Sequence, residues 1–142
     1  MNNLLTAPVE RQAANGASLI QLPCGLLGFE RVKNYILLTR PAEEPFLRLQ
    51  MVEEPKRSFL VVPPHFVIAD YRPDLSELDV AFLELEDPSE AIVLNIVTIR
   101  AGAQPTVNLK GPIVVNRRTL IGKQVIPINA AEYAIRHPLA LS

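Results

Sequence analysis

The chain has 142 residues, of which 49% are hydrophobic and 20% are charged, and its formal net charge at pH 7 is -1. This length suits one domain with one main core, and the near-neutral charge argues against direct binding of RNA or DNA, because dedicated nucleic-acid binders carry a basic excess. The 13 prolines disfavour long helices.

Short β-strands are the main predicted elements. Residues 1–16 show no apolar period and are predicted to form a flexible N-terminal arm, followed by a single domain over residues 17–142. In that domain, short β-rich runs alternate with turn clusters and predict strands at 17–22, 35–39, 46–51, 58–62, 65–69, 91–99, 113–115 and 122–126. Many short strands at this spacing favour an all-β fold, a barrel-like or sandwich arrangement of antiparallel sheets.

One or two short helices are predicted beside the strands. Asp74 stands where a helix cap is expected, and Leu75, Leu78 and Phe82 then follow at the spacing of one helix face. Residues 129–136 predict a second short helix, with Asn129 as its cap. Most connections are too short for crossover helices, so we expect no parallel βαβ unit.

Charge is unevenly distributed along the chain. Residues 70–90 contain eight acids and one base, whereas residues 100–142 contain six bases and one acid. The acidic run is interpreted either as the solvated face of a helix and loop or as a surface that steers a basic partner. On the second interpretation the candidate partner-binding acids are Glu77, Asp79, Glu84, Glu86 and Asp87. Glu84 and Glu86 are expected to share one strand face.

The sequence offers few groups for catalysis. It contains no Walker-type phosphate loop and no GxGxxG, GxSxG or HExxH motif, and its two histidines and one cysteine lack zinc spacing. His65 is predicted in a strand, His137 in an exposed turn and Cys24 as a small buried residue at a turn. We therefore expect a protein that is not an enzyme and needs neither a metal nor an organic cofactor.

The ends and the cysteine content bear on compartment. The N-terminus lacks the basic and apolar regions of a secretory signal, and no apolar run reaches the about 18 residues needed to span a bilayer. A single cysteine cannot form an intrachain disulfide, which fits a reducing compartment. We expect a cytoplasmic protein that does not bind membranes.

One segment near the C-terminal end has a more specific sequence than a β-strand alone requires. It reads Asn108-Leu109-Lys110-Gly111-Pro112-Ile113-Val114-Val115-Asn116, and Gly122-Lys123-Gln124-Val125-Ile126 comes shortly after it. These residues resemble the FliW family of flagellar assembly factors, whose members carry Asn-Leu-x-Ala/Gly-Pro-Ile-Val-hydrophobic-Asn and then a Gly-x-Gln strand. Further matches follow in the family's order at residues 22–30, 45–50, 58–62, 71, 96–99 and 133–139, so the resemblance covers about residues 19–139. Pro127 and the long N-terminal arm depart from the family pattern.

This resemblance implies two protein partners. One is flagellin, bound before export, and the other is the carbon storage regulator CsrA, a translational repressor that the factor antagonises, which relieves repression of flagellin translation. A monomer is expected. Alternatives are a flagellin-specific chaperone without a regulatory role and, from a different class, a small β-barrel enzyme or ligand binder.

A second group of candidate binding residues lies in the resembling segment itself. Asn108, Gly111, Pro112 and Asn116 either set the backbone of a turn or line a groove for the partner. The two interpretations differ in whether these residues reach the surface.

Overall fold

In the computed structural model the described part of the chain is residues 16–140, so the predicted arm lies outside it except for Gly16. These residues form nine strands and one α-helix, joined by loops and short 3-10 turns. The elements are β1 (Ala17–Gln21), β2 (Asn34–Thr39), β3 (Leu47–Met51), β4 (Ser58–Val62), α1 (Glu77–Phe82), β5 (Ala91–Thr98), β6 (Thr106–Val107), β7 (Ile113–Asn116), β8 (Gly122–Gln124) and β9 (His137–Pro138).

All ladders between the nine strands are antiparallel, which confirms the predicted all-β class. Strands β1 to β5 pair in chain order, and β5 is shared between two sets of neighbours. Its C-terminal half pairs with β4 and β6, whereas its N-terminal half pairs with β7, which in turn pairs with β8. One isolated parallel bridge between Gln21 and Ile121 joins the end of β1 to the residue before β8. The sheet therefore curves like a barrel but is not closed.

The main core lies inside this curved sheet. Alternate residues of β1, β2 and β3 are buried, as the pleat of a strand requires, and Ile113 and Val115 of β7 join them. A second cluster, around Val62, Val107 and Leu109, fills the end of the sheet near β6 and β9. There the Tyr71 hydroxyl donates a hydrogen bond to the Leu109 carbonyl at 2.5 Å, and burial raises the pKa of Tyr71 to about 12.

Two glycines of the resembling segments have steric roles. Gly25 has a φ of +67°, and a Cβ there would stand 2.6 Å from backbone atoms of Phe29 and Glu30, so only glycine fits this turn. At Gly122, where β8 approaches β7, an added Cβ would lie 2.8 Å from a Val115 methyl and 2.9 Å from the Val114 carbonyl oxygen. Gly122 therefore allows the two strands to pack closely.

Several predicted elements are wrong at their ends or in type. Residues 65–69 do not form a strand; Pro64–Phe66 is a 3-10 turn closed by the Val67 amide on the Pro64 carbonyl, since proline cannot donate to a ladder. β8 ends at Gln124, three residues before Pro127. The two-residue strands β6 and β9 were missed because so short a run carries no period.

The second predicted helix is also wrong. Only Ala130–Glu132 is helical, as one 3-10 turn, and the Asn129 side chain does not cap it. Instead the Asn129 amide accepts a hydrogen bond from the Asp74 backbone at 2.8 Å and donates one to the Arg72 carbonyl at 2.9 Å. This side chain therefore ties the C-terminal segment to the loop before α1.

Candidate functional site

The site is built on α1, which lies against the outer face of β7 and β8. Ser76 caps the helix, because its hydroxyl accepts a hydrogen bond from the Asp79 backbone amide at 3.1 Å. Leu83, at the end of the helix, packs with Val114 of β7 and with Val125, which follows β8. This third apolar cluster holds α1 and the turn after it on the sheet.

The predicted cap and helix face are both corrected. Asp74 lies before the helix and Ser76 takes the capping position. Of the three apolar residues predicted to share a helix face, Leu75 is half-buried against the Leu83 cluster, whereas Leu78 is 83% exposed and Phe82 is also exposed. The buried positions at this helix are Asp79 and Leu83, which are four residues apart.

Of the five candidate partner-binding acids, Asp79 alone is buried. It is 6% exposed, and its carboxylate lies 2.5 Å from the Lys123 ammonium of β8. The same ammonium stands 5.5 Å from the centre of the Phe82 ring. Asp79 is therefore not a free charge for steering a partner; its ion pair with Lys123 fastens α1 to β8.

We expect Lys123→Met to destabilise the domain by about 1 to 3 kcal/mol, because it leaves the buried Asp79 carboxylate without its partner, while water that reaches the partly exposed lysine position limits the loss. Urea unfolding monitored by circular dichroism measures this change. The matched control is the double variant Asp79→Asn with Lys123→Met, in which no charge is buried and much of the stability returns. Equal losses in the single and double variants would show that the pair is not coupled.

The turn after α1 carries the next acids. Glu84 has a φ of +55° and Glu86 lies in the following bend, so the prediction that they share a strand face is wrong. The Glu86 amide donates to the Glu90 carboxylate at 2.8 Å, and this hydrogen bond is the main cause that lowers the pKa of Glu90. Hydrogen bonds from Ser89 likewise lower the pKa of Asp87. Hydrogen bonds to the Asp87 and Glu90 carboxylates therefore order this turn.

Asn116 joins this turn to the sheet. It is fully buried at the end of β7, and its side-chain amide donates to the Leu83 carbonyl at 2.8 Å and to the Glu84 carbonyl at 3.3 Å. Its side-chain oxygen accepts from the backbone amides of Arg118 at 2.7 Å and Thr119 at 3.3 Å. One side chain therefore sets both the acidic turn and the β7–β8 connection.

The remaining residues of the resembling segment also have internal partners. The Asn108 side-chain oxygen accepts hydrogen bonds from the amides of Lys110 at 3.0 Å and Gly111 at 2.9 Å. Gly111 and Pro112 are buried. These contacts favour the conformational interpretation of the segment, in which its residues set the backbone of a turn.

The structure brings two bases from the C-terminal part of the chain, Arg118 and Lys123, against the acidic run of residues 70–90. Arg118 lies 3.6 Å from the Glu90 carboxylate and 3.4 Å from the Glu84 carbonyl oxygen, and Lys123 pairs with Asp79. Sequence reasoning missed all three contacts. The Ser76-x-x-Asp79 spacing was a readable signal for the true cap, but nothing local indicates which base meets which acid.

An open groove of about 500 Å³ runs along the exposed side of α1 and its following turn. Val80, Ala81 and Leu85 supply apolar side chains to it, and Glu77, Glu84, Glu86 and Arg118 are among its polar residues. Glu77, Glu84 and Glu86 are all exposed. Four of the five candidate acids, these three and Asp87, are therefore available to solvent at or beside this groove.

The other candidate reactive residues lie apart from each other. Cys24 is exposed, which corrects the prediction of a buried thiol. His137 is a half-buried residue of β9 instead of an exposed turn residue. His65 lies in the 3-10 turn and is exposed, but partial desolvation of its ring lowers its pKa. Within residues 16–140 no three His, Cys, Asp or Glu residues are grouped to hold a metal ion, and no helix has the length and apolarity to cross a membrane.

Comparison with known proteins agrees with the family resemblance of the sequence. The family model described as FliW protein matches residues 4–139. The flagellar assembly factor FliW of Natranaerobius thermophilus is 35% identical over 127 residues, which cover 88% of this chain and 83% of that protein. The chain belongs to the FliW family.

Other members agree with this assignment. The flagellar assembly factor FliW of Clostridioides difficile is 38% identical over 84% of this chain and 92% of its own length, and that of Geobacter sulfurreducens is 34% identical over 96% and 85%. A crystal structure of the flagellar assembly factor FliW superposes with a TM-score of 0.76 at 31% identity and covers 87% of this chain and 86% of that chain. The name of these FliW proteins describes assembly and not catalysis.

Proposed function

We propose that this chain is a cytoplasmic flagellar assembly factor that binds flagellin and, by binding CsrA, antagonises that repressor and relieves repression of flagellin translation. It acts as a monomer by stoichiometric occupancy and not by catalysis. Membership of the FliW family, matched over residues 4–139, is the observation that carries the proposal. The exposed acids beside the groove are the candidate binding surface.

The acidic surface suits a repressor that binds RNA. Such a protein carries basic residues to contact phosphates, and an acidic surface on this chain attracts them. We name Glu77, Glu84, Glu86 and Asp87 the acidic rim; all four are exposed. Asp79 supports the rim through its ion pair, and Asn116 supports it through its bonds to the turn after α1. Asn108, Gly111 and Pro112 act indirectly, since they shape the entry to β7.

Competition between purified partners tests the function. The immobilised chain is incubated with CsrA, then with increasing flagellin, and the retained proteins are measured. Binding of both, with displacement of one by the other, supports the proposal. Retention of flagellin alone indicates an export chaperone without a regulatory role, and retention of neither protein contradicts the proposed function.

The acidic rim makes a kinetic prediction. We expect the triple variant Glu77→Gln, Glu84→Gln and Glu86→Gln to slow association with CsrA roughly tenfold at low salt and to flatten its salt dependence, while dissociation changes less. Surface plasmon resonance at several salt concentrations measures both rates. Folding is retained, because exposed carboxylates contribute little to stability.

A control triple variant separates the rim from total charge. Glu44, Glu53 and Glu132 are exposed and lie elsewhere in the sequence, so their replacement by Gln makes the same change in net charge. We expect this control to associate at close to the wild-type rate. If the rim variant does so too at every salt concentration, the acids are only a solvated face, and the binding site lies elsewhere, with residues 108–116 the next segment to test.

A further inference from the structure

The groove beside α1 combines an apolar surface with an acidic margin. Leu78, Ala81 and Phe82 are exposed and share one face of the helix, because they are three and four residues apart, and of these three Ala81 lines the groove. Val80 and Leu85 line the groove beside them and are half-buried. Exposed apolar side chains grouped on one short element, with charged residues around them, are typical of a surface that binds another protein.

The charge at this groove is acidic on balance. Glu77, Glu84 and Glu86 contribute three carboxylates, whereas Arg118 contributes one guanidinium that lies 3.6 Å from the Glu90 carboxylate. The positive charge of Arg118 is therefore largely offset. A partner segment that matches this surface has apolar side chains on one side and Lys or Arg residues flanking them.

The backbone around the groove excludes strand addition as the means of binding. The amides of Val80, Leu83, Glu84 and Leu85 donate to carbonyls within this segment, and the amide of Glu86 donates to the Glu90 carboxylate. A strand needs free backbone groups at an edge, and these residues do not present one. Recognition must come from side chains, as it does when an amphipathic helix lies in a groove.

We propose that this groove binds one basic amphipathic α-helix of a protein partner. The apolar stripe of that helix lies along Val80, Ala81 and Leu85, and its flanking Lys or Arg residues pair with Glu77, Glu84 and Glu86. The six residues of α1 span about 9 Å, so roughly two turns of the partner make contact. This inference rests on the proposed function, because it names the form in which a partner is recognised.

A designed peptide tests the inference without any natural partner. The probe is a fluorescein-labelled 18-residue helix of Leu, Ala and Lys with leucines on one face, and its binding is measured by fluorescence anisotropy. One control peptide has the same composition in an order without helical periodicity, and another has Glu in place of Lys. We expect the first peptide to bind and both controls to fail. Equal binding of the scrambled peptide would contradict the inference, since charge alone would then suffice.

A pair of alanine variants locates the binding. Ala81→Arg places a cation and a bulky side chain in the groove, and we expect it to weaken peptide binding at least roughly tenfold. Ala131→Arg is the matched control, because Ala131 is an exposed alanine in the short turn Ala130–Glu132, and we expect it to bind as the wild type does. Thermal unfolding verifies that both variants fold. Unchanged binding by folded Ala81→Arg overturns the inference.

Parallel measurements with flagellin and CsrA keep the two proposals apart. If the wild type binds these proteins, Ala81→Arg binds them equally well and the peptide does not bind, the helix-binding groove is wrong and the proposed function stands. If the wild type binds neither protein, the proposed function is wrong. Peptide binding by the wild type and by Ala81→Arg then decides whether the groove binds a helix.

Discussion

Ile113→Asp is expected to unfold the domain. Ile113 is 0% exposed in the main core, where β7 contributes it between Leu94 of β5 and Gln124 of β8. An unpaired carboxylate in an apolar core costs several kcal/mol or must take up a proton. Domains of this kind have free energies of unfolding of about 5 to 15 kcal/mol, so this one change removes a large share. Far-UV circular dichroism and urea unfolding measure the loss.

The control for this substitution is Ile126→Asp. Ile126 is 63% exposed, although it lies only two residues after β8. Because its carboxylate remains in water, we expect the free energy of unfolding to change by about 0.5 kcal/mol or less. Flagellin and CsrA should bind the control and not the Ile113 variant. A cooperative transition at the wild-type midpoint for Ile113→Asp would contradict the placement of β7 in the core.

Asn116→Ala has the second-largest expected effect, a loss of about 3 kcal/mol or more. The change removes two donated and two accepted hydrogen bonds and leaves the buried Leu83 carbonyl without this donor. Buried polar groups that lose their partner cost about 1 to 3 kcal/mol each. Urea unfolding at neutral pH measures the change.

The Asn116 variants also test how the acidic rim is held. In Asn116→Ala the Glu84 turn loses its attachment to β7, so binding of CsrA should weaken even under conditions where the variant is folded. Asn116→Asp is the conservative comparison, because it keeps the acceptor for the Arg118 and Thr119 amides but removes the donor to Leu83 and Glu84. If Asn116→Ala retains wild-type stability and wild-type binding, this side chain does not position the rim.

Most of the sheet could be predicted from local patterns. The runs that became β1 to β5 and β7 alternate or concentrate β-branched and apolar residues between Pro and Gly turns, and this period is a property of consecutive residues. The 65–69 run misled because its apolar residues follow two prolines, Pro63 and Pro64, which favour a turn. The spacing of Leu75, Leu78 and Phe82 predicted a helix but did not show which side of it packs: Leu75 is half-buried, Leu78 and Phe82 are exposed, and the sheet covers Leu83.

The candidate site was only partly predictable. The sequence identified the acidic run and the Asn108–Asn116 segment, since both are local, and four of the five acids are indeed exposed. It could not show that Asp79 is buried or that Asn116 reaches the turn after α1. These facts depend on where β7 meets the helix.

By itself, the sequence determined the antiparallel β class, the positions of most strands and membership of the FliW family, because strand periodicity and motif order are written along the chain. Only the tertiary structure decided which acids are free and which are structural. Asp79 pairs with Lys123, 44 residues away, and Asn116 bonds to Leu83, 33 residues away. Such contacts arise when β7 and β8 pack against α1, and burial then makes each polar group find a partner across the fold.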